Sequence, residues 1–182
     1  DLTYEGLVDF HKKHYHPSNA VFFTYGKIDI TSLQDQIQKS VFHHFSHNPE
    51  KIEVEKCSFF SEPRYASKHY KPLSGDENNH HVLVSWLLDS SLNPVDKMEA
   101  KLIESILLEN SASPLSKALE VTKIGNVPSD MTGFDTYKKQ MYFTAGLEGV
   151  AKNREKDVEQ LIIDVFNDLY ENGIPQDLIQ TS

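Results

Sequence analysis

Residues 81–88 constrain the fold of this chain most strongly, because nearly every one of them is apolar. The run is short for a helix, contains β-branched and aromatic residues, and follows a polar Gly-Asp-Glu-Asn-Asn turn at residues 75–79. These features predict a buried β-strand. A strand that is apolar on both faces has to be covered on both, so we expect it to lie centrally in a sheet.

Five segments carry the signals of helices. The first begins at the cap Thr3 and runs to about Tyr15, where a His-Pro-Ser-Asn turn ends it. A capping box of Thr31 and Gln34 starts the second helix, which ends near Ser46. The third helix begins at Asn93, and the fourth covers residues 114–120. The fifth carries an apolar face over residues 158–169 and ends at Asn172 and Gly173.

The helix that begins at Asn93 has the clearest pattern. Asn93 is a cap, Pro94 takes the first helical position and Asp96 lies in the first turn. Its apolar residues recur along one face, which we expect to be buried: Met98, Leu102, Ile103, Ile106 and Leu107.

Further strands are predicted at residues 20–25, 64–70, 132–136 and 140–147. Several neighbouring strands are joined by short turns, which favours antiparallel pairing over a doubly wound parallel sheet. We therefore predict an α+β fold: a two-layer sandwich with a mostly antiparallel sheet packed by helices. The sequence has no repeat or flexible linker, so one domain over residues 1–182 is expected.

The charge of the chain excludes some classes of partner. The formal net charge is −9, which does not indicate a basic surface for binding nucleic acid or an anionic membrane. This charge favours basic partners. Cys57 is the only cysteine, which excludes an internal disulfide and a cysteine-based zinc cluster. No apolar run approaches the roughly 20 residues of a membrane span, and the first residues resemble neither a signal peptide nor an Arg-rich leader.

Nine histidines raise the question of a metal site, and six of them form two groups: His11, His14 and His16, then His43, His44 and His47. On a helix, the pairs 11/14 and 43/47 each place two imidazoles on one face. A catalytic zinc needs a third ligand and usually a carboxylate base, and neither group has one in register. Solvated helix histidines are the simpler interpretation, although adventitious nickel or zinc binding at His43 and His47 stays open.

Other catalytic patterns are absent. No His is followed by Glu and no Glu by His, so both the H-E-x-x-H and the H-x-x-E-H zinc motifs are missing. Ser85 and Ser90 flank a strand rather than a nucleophile turn, and nothing around Cys57 favours a thiolate. Gly146 and Gly149 lack phosphate-loop spacing and are expected to end a strand. A free sheet edge could still add a peptide as an extra strand.

Two stretches carry a resemblance to a known family. Residues 2–20, running into the Phe-Phe-Thr-Tyr-Gly of residues 22–26, resemble a segment of the pitrilysin/insulinase zinc metallopeptidases that leaves their first domain. Residues 107–119, 133–135 and 143–150 resemble the presequence-protease branch of that family. Together these matches span nearly the whole chain.

The resemblance implies a four-domain peptidase whose halves close around short unfolded peptides, with zinc held by the inverted motif and a distal Glu of the first domain. This chain would be the following, non-catalytic domain of the pitrilysin/LuxS-like metallohydrolase type. Residues 1–28 would link it to the preceding domain, and the chain would stop within a C-terminal helix. No catalytic, cofactor-binding or metal-binding residue is predicted here, because none of those positions lies in this sequence.

Partners and compartment also follow from the resemblance. The partners would be the catalytic and C-terminal domains of the same polypeptide and an unfolded peptide, in the bacterial cytoplasm or the mitochondrial matrix, with zinc in the full-length protein. Two alternatives stay open: a non-enzymatic scaffold or core subunit with the same fold, and an independent metal-binding protein that uses the histidine groups. The presence or absence of H-x-x-E-H in the flanking sequence would distinguish a peptidase domain from a scaffold subunit. The metal content of the purified protein would test the metal-binding alternative.

Overall fold

The structure is a computed structural model that describes residues 2–50, 52–71, 79–90 and 93–181. Its contacts divide the chain into two compact units, Asp1–Glu55 and Lys56–Ser182. The count of one domain over residues 1–182 therefore stays a prediction. The predicted polar turn at residues 75–79 lies outside the described residues except for Asn79.

The first unit consists of short helices. Helix α1 covers Tyr4–His14, helix α2 covers Ile30–Ser40, and single 3-10 turns lie at Pro17–Asn19 and Phe42–His44. Thr3 caps α1 as predicted, because its Oγ1 accepts a hydrogen bond from the Gly6 N–H at 3.1 Å. Neither α1 nor α2 contains a buried residue.

The predicted limits of α2 were wrong at both ends. Asp29 is the cap rather than Thr31, because Asp29 Oδ1 accepts from the N–H groups of Thr31 at 3.1 Å and Ser32 at 3.2 Å. A carboxylate that reaches two backbone donors of the first turn starts the helix two residues early. The helix ends at Ser40, whose hydroxyl bonds back to the Gln36 carbonyl at 2.6 Å, and a 3-10 turn follows instead of a further helical turn.

Two predicted strands do not form. Residues 20–25 and 64–70 lie in no ladder, although their side chains have the composition of strands. Val21 is 97% exposed and Phe23 is 85% exposed. A strand needs a neighbour to take its backbone hydrogen bonds, and neither segment pairs with a described strand.

The second unit contains an antiparallel sheet. Strand β1 covers His80–Ser90, β2 Val127–Pro128, β3 Gly133–Asp135 and β4 Gln140–Val150. Strand β4 pairs with all three others, in the order β1-β4-β2 with β3 also on β4. The predicted central position of the β1 segment was therefore wrong: β4 is the central strand, because it is the one that is buried along most of its length.

Helices cover one face of this sheet. They are α3 (Pro94–Leu108), α4 (Pro114–Val121) and α5 (Glu155–Asn172), and a short α6 follows at Gln176–Thr181. The core joins α4, α5 and alternate residues of β4, and its centre consists of Leu115, Leu119, Phe143, Ala145, Leu147, Val158 and Ile162. Helices on one face of an antiparallel sheet confirm the predicted α+β class.

Helix α3 turns a different face to the core than its periodicity predicted. Of the five residues expected to be buried, only Leu107 is, whereas Met98, Leu102 and Ile103 are exposed. The inner face carries Ala100 and Glu104 instead. Glu104 Oε1 accepts a hydrogen bond from the Phe134 N–H of β3 at 2.8 Å, which fixes the rotation of the helix.

The glycines of β4 lie within the strand rather than ending it. The pairing shifts by one residue between His80/Val150 and Val82/Leu147, and Gly149 has a φ of +68° at this bulge. At Gly146 a Cβ would come within 2.1 Å of the Val82 carbonyl oxygen. Strand β1 therefore requires a residue without a side chain here.

Candidate substrate-facing surface

Among the described residues, the helices that pack on the sheet lie on one of its faces, and alternate side chains of the strands point to the other. The residues of β1 and β4 on this face, which we call the open face, are His81, Leu83, Ser85, Leu87, Tyr142, Thr144, Gly146 and Glu148. None of them belongs to the core cluster or packs against it. Leu83 is 40% exposed, so the open face is accessible at β1.

Polar pairs cross the open face from β1 to β4. Ser85 Oγ lies 2.8 Å from Thr144 Oγ1, and this contact satisfies the buried hydroxyl of Thr144. His81 Nε2 lies 3.7 Å from Glu148 Oε2. The surface therefore offers hydroxyl, imidazole and carboxylate groups but no nucleophile with an adjacent base.

The outer edge of β1 exposes backbone groups. The Gly146 carbonyl accepts a hydrogen bond from the Ser129 N–H at 3.0 Å, and the Glu148 carbonyl accepts one from the Asn126 N–H at 2.8 Å. The backbone groups of these even-numbered residues of β4 therefore point away from β1. In an antiparallel ladder, the β1 residues paired with even-numbered residues of β4 then point their backbone N–H and C=O groups to the outer edge of β1. Leu83 and Ser85 are two of these residues. No described strand pairs with that edge, so it can accept an extended peptide.

On the opposite side of β4, helix α3 contacts β3. The bond from the Phe134 N–H to Glu104 occupies a backbone donor that β3 would otherwise present. Lys101 Nζ forms an ion pair with the second oxygen of Glu104, and this hydrogen bond raises the pKa of Lys101. This donor of β3 is therefore not free to pair with a further strand.

A charged cluster lies on the hairpin that joins β3 and β4. Asp135 Oδ2 accepts hydrogen bonds at 2.8 Å from both Lys138 Nζ and the Tyr142 hydroxyl, and Lys138 Nζ lies 2.8 Å from that hydroxyl. The hydrogen bond from Lys138, followed by that from Tyr142, lowers the pKa of Asp135 from 3.8 to about 2. A carboxylate held this acidic stabilises the hairpin but is a poor general base.

The chain enters the second unit at the end of the same sheet. The side-chain amide of Gln140 bonds both backbone groups of Cys57: its Oε1 accepts from the N–H at 2.6 Å, and its Nε2 donates to the carbonyl at 3.1 Å. Lys56 forms an ion pair with Asp89 at 2.9 Å. Cys57 is thus fixed through its backbone, while its thiol remains free and the residue exposed.

Of the two predicted histidine pairs, His11 and His14 lie on α1 at the expected spacing, whereas His43 and His47 do not share a helix. His43 lies in a 3-10 turn and His47 lies beyond it, so the expected helical spacing of four between them was wrong. His14 stacks on Phe10 with ring centroids 4.1 Å apart, and His11 stacks on Tyr15 at 4.8 Å. His16 Nδ1 accepts from the Ser18 N–H at 3.1 Å.

Among the described residues, possible metal ligands do not form clusters. Across the described ranges, no group of three His, Cys, Asp or Glu side chains is close enough to hold a metal. Of the two serines considered above, Ser85 pairs with Thr144, and the side chain of Ser90 lies outside the described residues. The absence of catalytic and metal residues from this chain stays a prediction.

The sequence reasoning missed the residues that form the open face. Tyr142, Thr144 and Glu148 alternate with apolar residues of β4, and this period-two pattern was the available signal for a half-covered strand. The cluster around Asp135 had no comparable signal, since it depends on how the hairpin closes. Within the described part of the chain, no helix is long and apolar enough to cross a membrane.

Comparison with known proteins adds independent findings. The family model for the peptidase M16 inactive domain matches residues 1–182. The mitochondrial presequence proteases of Xenopus laevis and Danio rerio are 32% and 31% identical to this chain over 183 residues, which is 99% of the chain and 18% of each relative. Protein HypA of Clostridium perfringens is 29% identical over the whole chain and 19% of its own length. The chain thus spans less than a fifth of these relatives.

Proposed function

Because this chain belongs to the peptidase M16 family, as an inactive domain of that family, we propose that its open face forms part of the substrate chamber of a zinc-dependent endopeptidase. In this role the domain confines short unfolded peptides, and the catalytic groups come from another domain. The observation that carries the proposal is the one-sided sheet: its helices lie on one face, Leu83 of β1 is 40% exposed on the other, and no described strand pairs with the outer edge of β1.

The chemistry of the open face suits unfolded peptides. An unfolded peptide carries unpaired backbone N–H and C=O groups, and the outer edge of β1 presents the complementary groups. Ser85, His81 and Glu148 offer side-chain hydrogen bonds beside that edge. Backbone recognition is independent of side-chain identity, so it accommodates peptides of varied sequence.

The first unit supports a partner within the same polypeptide. Val21, Phe23 and Tyr25 are each more than four-fifths exposed, and α1 and α2 bury no residue. Several exposed apolar side chains within five residues are unfavourable in water and indicate a surface that another body covers. We propose the catalytic and C-terminal domains of a longer chain as that body, since the relatives are more than five times as long as the matched region.

The zinc ion of this proposal is bound outside this chain, where it would activate water for peptide hydrolysis. The compartment is also a proposal. Two relatives bear mitochondrial names and one comes from Clostridium perfringens, which supports the mitochondrial matrix or a bacterial cytoplasm.

The test compares this chain with the full-length polypeptide on a quenched unstructured peptide, with zinc and with chelator. We expect chelator-sensitive cleavage by the full polypeptide only. A Leu83→Glu substitution on the open face should raise KM several-fold with little change in kcat, while Gln160→Glu on the outer side of α5 should change neither.

Two results would overturn the proposal. Zinc-dependent cleavage by the isolated chain would place catalysis here, and an unchanged KM in a folded Leu83→Glu enzyme would remove the open face from the chamber. Inactivity of the full polypeptide would favour a scaffold subunit instead.

A further inference from the structure

Helix α3 carries a row of apolar side chains on the side that faces away from the core. We call this row the outer stripe; it consists of Val95, Met98, Leu102 and Ile103, which are 61%, 62%, 52% and 45% exposed. Their spacing of three, four and one residues places them on one side of the helix. Ala100 and the largely buried Glu104 lie on the opposite side, and the buried Leu107 borders the stripe one turn beyond Ile103.

A helix that is apolar on both sides is normally covered on both. The second unit covers only the inner side, because no residue of the outer stripe belongs to the core cluster or packs against it. The regular spacing of these residues is the same signal that predicted burial from the sequence. The sequence thus matches a buried environment that the core of the second unit does not supply.

Helix α5 shows what a solvent-facing side looks like in the same unit. Its exposed residues are polar at nearly every position, with Gln160, Asp164 and Asp168 along one side and Tyr170 as an apolar exception. On that side of α3, Glu99 lies among the stripe residues and Lys101 borders Met98 at a spacing of three. The two helices therefore differ in a way that exposure to water alone does not explain.

We propose that the outer stripe of α3 is a docking surface for an amphipathic helix from the remainder of the same polypeptide. This inference rests on the partner named in the proposed function. The relatives extend far beyond the region matched by this chain, which spans 18% of their length. A tethered segment is present at high effective concentration, so a stripe of this size is sufficient for docking.

The charge at the stripe further defines the partner. Glu99 is exposed between Met98 and Leu102, and Lys101 on the adjacent side is already paired with Glu104. A docking helix should therefore place a Lys or Arg opposite Glu99 and apolar residues opposite the stripe. A second copy of this chain is disfavoured, because a two-fold contact centred here brings Glu99 close to its own equivalent.

Thiol labelling tests the inference directly. In a Cys57→Ser background, a Met98→Cys substitution places a reporter in the outer stripe, and Gln160→Cys on α5 is the matched control. Labelling by a maleimide is followed at the reporter peptide by mass spectrometry, in the isolated chain and in the full polypeptide. We expect the Met98→Cys reporter to react as fast as the control in the isolated chain and at least about a hundredfold more slowly in the full polypeptide.

Equal labelling of the Met98→Cys reporter in both proteins would overturn the inference. Protection that is already present in the isolated chain and rises with its concentration would also overturn it, since the occupant would be a second copy. The readout is independent of peptidase activity. A protected stripe in an inactive polypeptide would retain the docking surface and remove the chamber role.

Discussion

Gly146 shows how one residue sets the approach of two strands. An added Cβ would meet the Val82 carbonyl oxygen at 2.1 Å and Leu83 Cδ2 at 2.8 Å, and the first of these is backbone that cannot rotate away. We expect Gly146→Ala to lower the free energy of unfolding of the second unit by at least about 2 kcal/mol. Urea unfolding followed by the fluorescence of Trp86 measures this change.

Gly173 provides the matched control for Gly146. It has a φ of +78°, but no atom lies within 4 Å of an added Cβ. Gly173→Ala should therefore cost only the backbone strain of about 1 kcal/mol. Equal losses for the two variants would show that the close approach of β1 at Gly146 does not constrain the sheet.

The pKa of Asp135 links the hairpin to pH. Hydrogen bonds from Lys138 and then Tyr142 lower this pKa from 3.8 to about 2 in the folded chain. As pH falls, the unfolded state takes up its proton first. The stabilisation from the ionised carboxylate is therefore fully present above the unfolded pKa and is lost as the pH falls from about 4 to about 2.

Replacement of Asp135 by Asn should remove this pH dependence. We expect Asp135→Asn to be less stable than the wild type at pH 6 and to approach it near pH 2, because a protonated Asp and an Asn are similar in charge. Urea midpoints at pH 6, 4, 3 and 2 measure the convergence. Asp130→Asn, in the exposed turn before β3, is the control; a constant difference for Asp135→Asn across this range would contradict the assignment.

At the scale of elements, the cap of α2 separates two interpretations of one sequence. The pattern Thr31 to Gln34 predicted the start of the helix, whereas Asp29 accepts hydrogen bonds from the backbone N–H groups of the helix's second and third residues, Thr31 and Ser32. We expect Asp29→Ala to destabilise α2 by about 1 kcal/mol, which corresponds to about fivefold faster hydrogen exchange in the helix. Thr31→Ala should change exchange by less than twofold; the reverse order would restore the predicted cap.

The sequence predicted those elements whose signals are local. The start of α3 at Asn93, the end of α5 at Gly173 and the strand that became β4 are set by caps, positive φ and alternation within a few residues. The prediction failed where contacts with residues distant in the sequence determine the structure. Residues 20–25 have strand composition without a ladder, and the rotation of α3 depends on a bond between Glu104 and Phe134, 30 residues apart.

The candidate site shows the same limit. The absence of a zinc motif can be established from the sequence, because such motifs are short and contiguous. The open face is not, because it arises from the register of β1 against β4 and from the side on which the helices pack. Ser85 could be named as a strand residue, but its contact with Thr144 required the pairing of strands 59 residues apart.

At the scale of the whole molecule, the two units should differ in stability. The second unit has a continuous buried core, whereas α1 and α2 are each 11 residues long and bury no side chain. Helices of this length are marginal in water without tertiary packing. We therefore expect backbone amides of α1 and α2 to exchange at least about a hundredfold faster than those of β4 in the isolated chain.

The same measurement in the full-length polypeptide separates an intrinsically weak unit from one that lacks its partner. If Val21, Phe23 and Tyr25 pack against another domain, their burial stabilises the first unit, and its exchange should slow toward that of β4. Exchange in β4 serves as the internal control, because its core is already complete. Equal protection of both units in the isolated chain would contradict the expected difference, and unchanged fast exchange of α1 and α2 in the full polypeptide would remove the first unit from the domain contact.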